Sequence, residues 1–221
     1  MRLRPGVIFL LALCFAVSGG AVWADGVLVQ NASFESANAL TSSCGVGCAY
    51  NGGPIPGWTV TGSGGSFQPG IFFNLPLPGG PSDSIVAYSN GGTISQILGV
   101  TVQPNSTYTL SVYVGDRLDG LVANYSIALD DGSTTLCSTP TASNGAITPG
   151  TFADVTLTCS TGATVAPGDL AIVLTSDGTQ IDFDNVALTV QTPEPASYLL
   201  LCIGLGAMVV FFRYRRTEVS S

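Results

Sequence analysis

Thr107-Tyr108-Thr109-Leu110-Ser111-Val112-Tyr113-Val114-Gly115 alternates polar and apolar residues with a period of two. That is the side-chain repeat of an extended strand, so Leu110, Val112 and Val114 share one face and Thr109, Ser111 and Tyr113 the other. Working outward in both directions, similar short runs recur between Gly, Pro, Asn and Asp. They are Val27–Asn31, Gly57–Thr61, Ser84–Ser89, Thr93–Val100, Ala123–Leu129, Thr134–Ser138, Phe152–Cys159, Leu170–Thr175 and Gln180–Thr189. Asp130-Asp131-Gly132-Ser133 reads as a hairpin turn, Asp177-Gly178 as a second, and Gly62–Ser82 as a long loop over one end. Strands of this number and length, with no convincing helix among them, predict an all-β sandwich. Parity places Tyr125 in the core with Ile127 and Leu129, and sets Ile181 and Phe183 opposite Asp182 and Asp184. Trp58, after Pro-Gly at a strand start, is expected to plug the core.

Charge narrows the function. Between residues 25 and 192, twelve acids face one basic residue, Arg117, for a net charge of −11, and neither His nor Lys occurs. Such a surface repels phosphate backbones, which excludes nucleic-acid binding, and it lacks the basic patch that anionic lipids need. Without His there is no Ser-His-Asp triad, and without Lys no Schiff base. The pairs Asp116/Asp119 and Asp130/Asp131 lie beside turns, where carboxylates are usually solvated. The domain is therefore expected to be non-catalytic.

Cys44, Cys48, Cys137 and Cys159 remain once the ends of the chain are set aside, an even number suited to an oxidising compartment. Cys44 and Cys48 bracket the flexible Gly45-Val46-Gly47, and the expected pairs are Cys44–Cys48 and Cys137–Cys159. A four-thiolate zinc site is the alternative.

Both ends carry export signals. Arg2 and Arg4 precede the apolar Val7–Val17, and Val22-Trp23-Ala24 offers a cleavage site, so residues 1–24 read as a signal peptide. The ectodomain is placed at 25–190 and an extended linker at 191–195. The uncharged run Ala196–Phe212 is long enough for a single C-terminal transmembrane helix, followed by a basic cytoplasmic tail at 213–221. Pro193-Glu194-Pro195, the apolar run, and Arg213, Arg215 and Arg216 together resemble the PEP-CTERM sorting tail of Gram-negative bacteria. The resemblance implies an exosortase-type membrane protease as partner. It implies a precursor tethered in the inner membrane, then release to the cell surface or the extracellular space. The same tail type occurs on ice-binding proteins.

Four segments of the domain form an ordered set: Asn31-Ala32-Ser33-Phe34-Glu35, Ile55-Pro56-Gly57-Trp58, Gly92-Thr93-Ile94-Ser95-Gln96 and Asp182-Phe183-Asp184-Asn185-Val186. The set resembles the galactose-binding-like superfamily, which includes several carbohydrate-binding modules. The resemblance implies a jelly-roll sandwich, and a structural calcium ion where the first and last strands meet. Glu35 and Asp184 would be its side-chain ligands, with backbone carbonyls completing the shell. It also implies polysaccharide as partner. Tyr113 with Arg117 and Asp116 is the first candidate glycan-binding cluster, and Phe67, Phe72 and Phe73 form the second. A structural matrix protein without a small ligand is the alternative. Ice binding is a further one, for which only short Thr-x-Thr pairs such as Thr107/Thr109 speak.

Overall fold

The computed structural model describes residues 24–80, 82–132, 134–192 and 203–209. The strands are β1 (Ala24–Val27), β2 (Ser42–Gly45), β3 (Cys48–Gly52), β4 (Thr59–Thr61), β5 (Gly64–Pro69), β6 (Val86–Ser89) and β7 (Thr93–Thr101). They continue with β8 (Thr107–Asp116), β9 (Asn124–Asp131), β10 (Thr134–Ser138), β11 (Ala142–Ser143), β12 (Thr151–Ser160), β13 (Asp169–Asp177) and β14 (Ile181–Gln191). One sheet runs β12-β8-β14-β6-β5-β3-β2, with β1 also on β14. The other runs β10-β9-β13-β7-β4, with β11 also on β9. The ladders are antiparallel, and the two sheets form a jelly-roll sandwich.

Period-two alternation builds the core. Leu110, Val112 and Val114 of β8 meet Ile181 and Phe183 of β14, Ile127 and Leu129 of β9, and Ile172 and Leu174 of β13, all fully enclosed. Each such side chain contributes about 1.5–3 kcal/mol by leaving water. Tyr125 and Trp58 join this core as their positions predict. Trp58 packs 5.1 Å from Phe34, and its Nε1 donates to the Asn31 carbonyl at 3.2 Å. Asn31 and Phe34 take positive φ, so the chain turns sharply after β1 instead of running on as a strand to Asn31. Cys44–Cys48 and Cys137–Cys159 are both disulfide-bonded, which leaves no thiolates for zinc.

Two further expectations fail. Gly62–Ser82 is not one loop, because β5 lies within it, almost wholly buried between β3 and β6. Glycine hides the strand from propensity but permits it: a Cβ at Gly65 would overlap the Asn51 carbonyl. Asp177-Gly178 does not make a hairpin. The chain crosses there from one sheet to the other, since β13 pairs with β7 and β9 while β14 pairs with β8, β6 and β1. β9 and β10 do pair as the expected hairpin, with Asp131 opposite Thr134.

Of the C-terminal tail, 203–209 is helical. Among the described residues no helix is long and apolar enough to cross a membrane. The expected signal sequence up to Trp23, the Pro193-Glu194-Pro195 motif and Arg213, Arg215 and Arg216 lie outside the described residues.

Candidate functional site

The larger sheet has a second face. Ala87 of β6 points into the main core, so its neighbours Val86 and Tyr88 point the other way. There they join Cys48, Phe67, Phe73 and Leu77 in a separate apolar cluster, with Phe72 and Phe152 packed against it. Asp182 and Asp184 are on this face too, because Phe183 between them is in the core.

A cavity of about 190 Å³ opens beside this cluster. Its walls are the rings of Tyr50, Phe67, Phe72 and Tyr88, with Cys44 and the polar Asn90, Arg117 and Gln180. The Arg117 guanidinium lies 4.0 Å from the Phe72 ring centroid and 5.3 Å from that of Phe67. Its Nε and Nη2 donate to the two Asp119 oxygens at 3.1 and 2.7 Å, and its Nη1 donates to Gln180 Oε1 at 2.7 Å. Arginine can only donate, so it fixes the orientation of the Gln180 amide. Gln180 Nε2 is thereby turned to Asp182 and donates to its Oδ1 at 2.7 Å.

Asp182 is wholly buried, and among the described residues its Oδ2 has no hydrogen-bond partner. In the ladders it lies opposite Tyr88 on one side and Gly115 on the other. Burial pushes its carboxyl up to about 7, against the Gln180 hydrogen bond and the Arg117 charge, while the Asp119 charge adds to the rise. A buried carboxyl that keeps its proton near neutral pH is able to act as an acid.

A second carboxyl group lies further along β14. Asp184 is also enclosed, and burial, helped by the charges of Asp83 and Glu35, pushes it up to about 8. Glu35 accepts from the Ser84 and Ile85 amides at 2.8 Å, tying the turn after β1 to the entry of β6. Among the described residues the buried oxygens Asp83 Oδ2 and Asp184 Oδ2 have no hydrogen-bond partner. Crowded hard oxygens of this kind fit Ca²⁺, which would relieve their repulsion. Among the described residues no three acidic, His or Cys side chains form a ready metal cluster. An ion there would rely on Glu35, Asp184 and backbone carbonyls.

The structure sorts the expected glycan-binding residues. Arg117, Phe67 and Phe72 come together at the cavity. Tyr113 and Asp116 do not line it. Tyr113 stands half-buried on β8, opposite Asp184 and Asp154 in the ladders. Asp116 is buried at the end of β8, and burial followed by the Asp119 charge pushes its carboxyl up. Phe73 is stacked on Phe152 at 4.5 Å. The sequence does not mark Tyr50, Tyr88, Asn90 or Gln180 as site residues, and it gives Asp182, which lies behind Gln180 and does not line the cavity, only a strand position and no role. The alternation Asp182-Phe183-Asp184 on a central strand is the signal that marks Asp182.

The model of the HpiC1-like family, described as HpiC1 cyclase, matches residues 25–189. The chain belongs to this family. Its fold is shared with Fisc, a Stig cyclase from Fischerella sp. TAU solved in complex with (3Z)-3-(1-methyl-2-pyrrolidinylidene)-3H-indole. The identity is 22% and the TM-score 0.63, over 78% of this chain and 100% of that one. A cyclase from Fischerella sp. TAU in complex with 4-(1H-indol-3-yl)butan-2-one matches at 23% identity and TM-score 0.60, over 77% of this chain and 100% of that one. Comparison with curated proteins gives no match. The PEP-CTERM protein-sorting motif matches residues 191–216, so this is an exported protein sorted to the cell envelope.

Membership of a cyclase family corrects the expectation of a non-catalytic domain. The absence of His and Lys excludes only mechanisms that need those residues. The turn position of Asp116/Asp119 and Asp130/Asp131 predicts solvated carboxylates, yet Asp116 and Asp131 are buried; Asp182, within a central strand, is buried as well. A carboxylic acid in such a place needs no His to deliver a proton.

Proposed function

We propose that the exported domain is an acid catalyst of the cyclase type, acting on a planar aromatic substrate held in the cavity beside Arg117. The observation that supports this most is Asp182: enclosed, hydrogen-bonded through one oxygen to the cavity-wall residue Gln180, and unpartnered at the other. The Gln180 amide donates to Oδ1, so the acidic proton belongs on Oδ2. Transfer of that proton to an unsaturated substrate makes a carbocation, which a nearby π-bond captures by forming a carbon–carbon bond. Loss of a proton then gives an isomer and returns the acid. The rings of Tyr50 and Tyr88, which do not carry the Arg117 guanidinium, would stabilise the cation during this sequence. Indole compounds bound by the cyclases of Fischerella sp. TAU make an indole the first substrate class to try.

We also propose that Glu35 and Asp184 hold a structural Ca²⁺, and that an exosortase releases the domain by acting at Pro193-Glu194-Pro195. A second reading, polysaccharide binding in the same cleft, is favoured by the sorting motif, which brings the domain to the glycan-rich envelope. Ring faces beside Asn90, Gln180 and Arg117 would serve a sugar as well.

Titration with 4-(1H-indol-3-yl)butan-2-one and, separately, with soluble polysaccharides tests both. Saturable binding of the indole that Phe72→Ala weakens supports the first reading. Binding of polysaccharide alone, weakened by the same change, replaces it with the second.

A further inference from the structure

A second cavity, of about 280 Å³, lies away from the cleft, where the β9–β10 hairpin meets the end of β12 and the loop 161–168. Asp131, Thr134, Leu136, Thr164 and Val165 are among its walls. Asp131 is 6% exposed, and among the described residues its enclosed Oδ1 has no hydrogen-bond donor. That oxygen lies against Gly168, where any Cβ would overlap it, so glycine makes room for the carboxylate. The Cys137–Cys159 disulfide ties β10 to β12 and fixes the hydroxyl-bearing and apolar walls around it.

An enclosed oxygen without a donor calls for one, so a ligand here must bring hydrogen-bond donors. A charged donor is favoured, because hydrogen bonds from a cation to a carboxyl oxygen are the stronger kind. The domain has no free basic side chain to offer. Arg117 is its only basic residue, and it is held in the other cleft by Asp119 and Gln180. The net charge of −11 draws cations toward the domain. Leu136 and Val165 favour a compact apolar body on the ligand. We propose that this cavity binds a small organic ammonium, a primary amine carried on a compact hydrocarbon body. Its N–H groups bond to Asp131 and to the Thr134 and Thr164 hydroxyls, while the hydrocarbon part packs on Leu136 and Val165.

Residues 24–191 form one compact unit with its own core, so the isolated domain serves for the test. Backbone amide spectra are recorded during titration with cyclohexylammonium chloride, and in parallel with cyclohexanol and glucose. Saturable shifts of the Thr134, Thr164 and Val165 signals are expected with the amine. Asp131→Asn should weaken the amine about tenfold or more, and added salt should weaken it as well. Gly168→Ala, which displaces the carboxylate, should do the same if Asp131→Asn does not fold. Cyclohexanol binding as tightly as the amine overturns the proposal, and so does amine binding that Asp131→Asn and Gly168→Ala leave unchanged. Glucose binding here without the amine makes it a sugar site instead. None of these outcomes bears on Asp182 or the indole cleft.

Discussion

Arg117→Met isolates the chain of hydrogen bonds that links Asp119, Arg117, Gln180 and Asp182. The change strips Gln180 Oε1 of its donor within a part-buried contact, which costs about 1–3 kcal/mol. It removes the guanidinium from the face of Phe72, about 1 kcal/mol more. The ion pair with Asp119 adds little, under about 1 kcal/mol, because the Asp119 side chain is 36% exposed. Methionine keeps much of the apolar packing of the arginine stem, so the net loss is about 2–4 kcal/mol. Urea unfolding of the exported domain at pH 6 reads this as a lower midpoint at unchanged slope. A double-mutant cycle with Gln180→Leu should give a coupling of about 1 kcal/mol or more. Without the nearby positive charge, the Asp182 carboxyl should titrate at still higher pH, which carbon NMR of the side chain detects. A loss under about 0.5 kcal/mol with no coupling would refute the chain of contacts as an organising element of the site.

Other consequences concern protons, calcium, covalent links and sorting. Asp182 and Asp184 have carboxyls raised to about 7 and about 8, so the folded state holds protons that the unfolded chain releases near the ordinary value of 3.8. Stability from these groups is complete below about pH 4 and is lost as pH rises through 7 and 8. At about 1.4 kcal/mol per pH unit, discounted for relaxation, each contributes a few kcal/mol. Calorimetry without calcium should show a lower Tm at pH 9 than at pH 5, with a shallower slope in Asp182→Asn; equal slopes contradict this. Chelation at pH 8 should lower Tm by several degrees in the wild type but not in Glu35→Gln or Asp184→Asn, and an unchanged wild-type value removes the calcium site. Replacing Cys137 and Cys159 by alanine should cost about 3 kcal/mol, read by urea midpoint, from the loop it closes. Alanines at Pro193, Glu194 and Pro195 should leave full-length protein in the membrane fraction; normal processing of that variant would make the tail an ordinary anchor.

Strand parity carried most of the fold, because a buried face leaves a period-two imprint on β8, β9 and β14. It failed where glycine writes the strand. β5 begins Gly64-Gly65, and its extended path depends on close approach to Asn51, a tertiary contact with no local signature. The disulfides were readable from loop chemistry and count. The site was legible only in pieces. Arg117, Phe67 and Phe72 stood out as the sole base and as loop aromatics, and the fold does gather them. Asp182 was visible as the polar partner of Phe183, but the rings beside it are not local: Phe73 and Phe152 pack against Gly115, its partner in the ladder, and lie far from it in sequence. Tyr113 has the right parity for that face, yet it sits beyond the cavity, because parity assigns a face and not a position on it.

The central claim is that Asp182 delivers a proton to an aromatic ligand in the cleft. Deuterium uptake at the indole C2 of 4-(1H-indol-3-yl)butan-2-one, followed by NMR in heavy water with catalytic amounts of the domain, measures that transfer directly. The wild type should accelerate exchange over buffer, while Asp182→Asn should bind the indole equally well and give only the buffer rate. Equal acceleration by both proteins, or none by the wild type despite saturating binding, contradicts the claim.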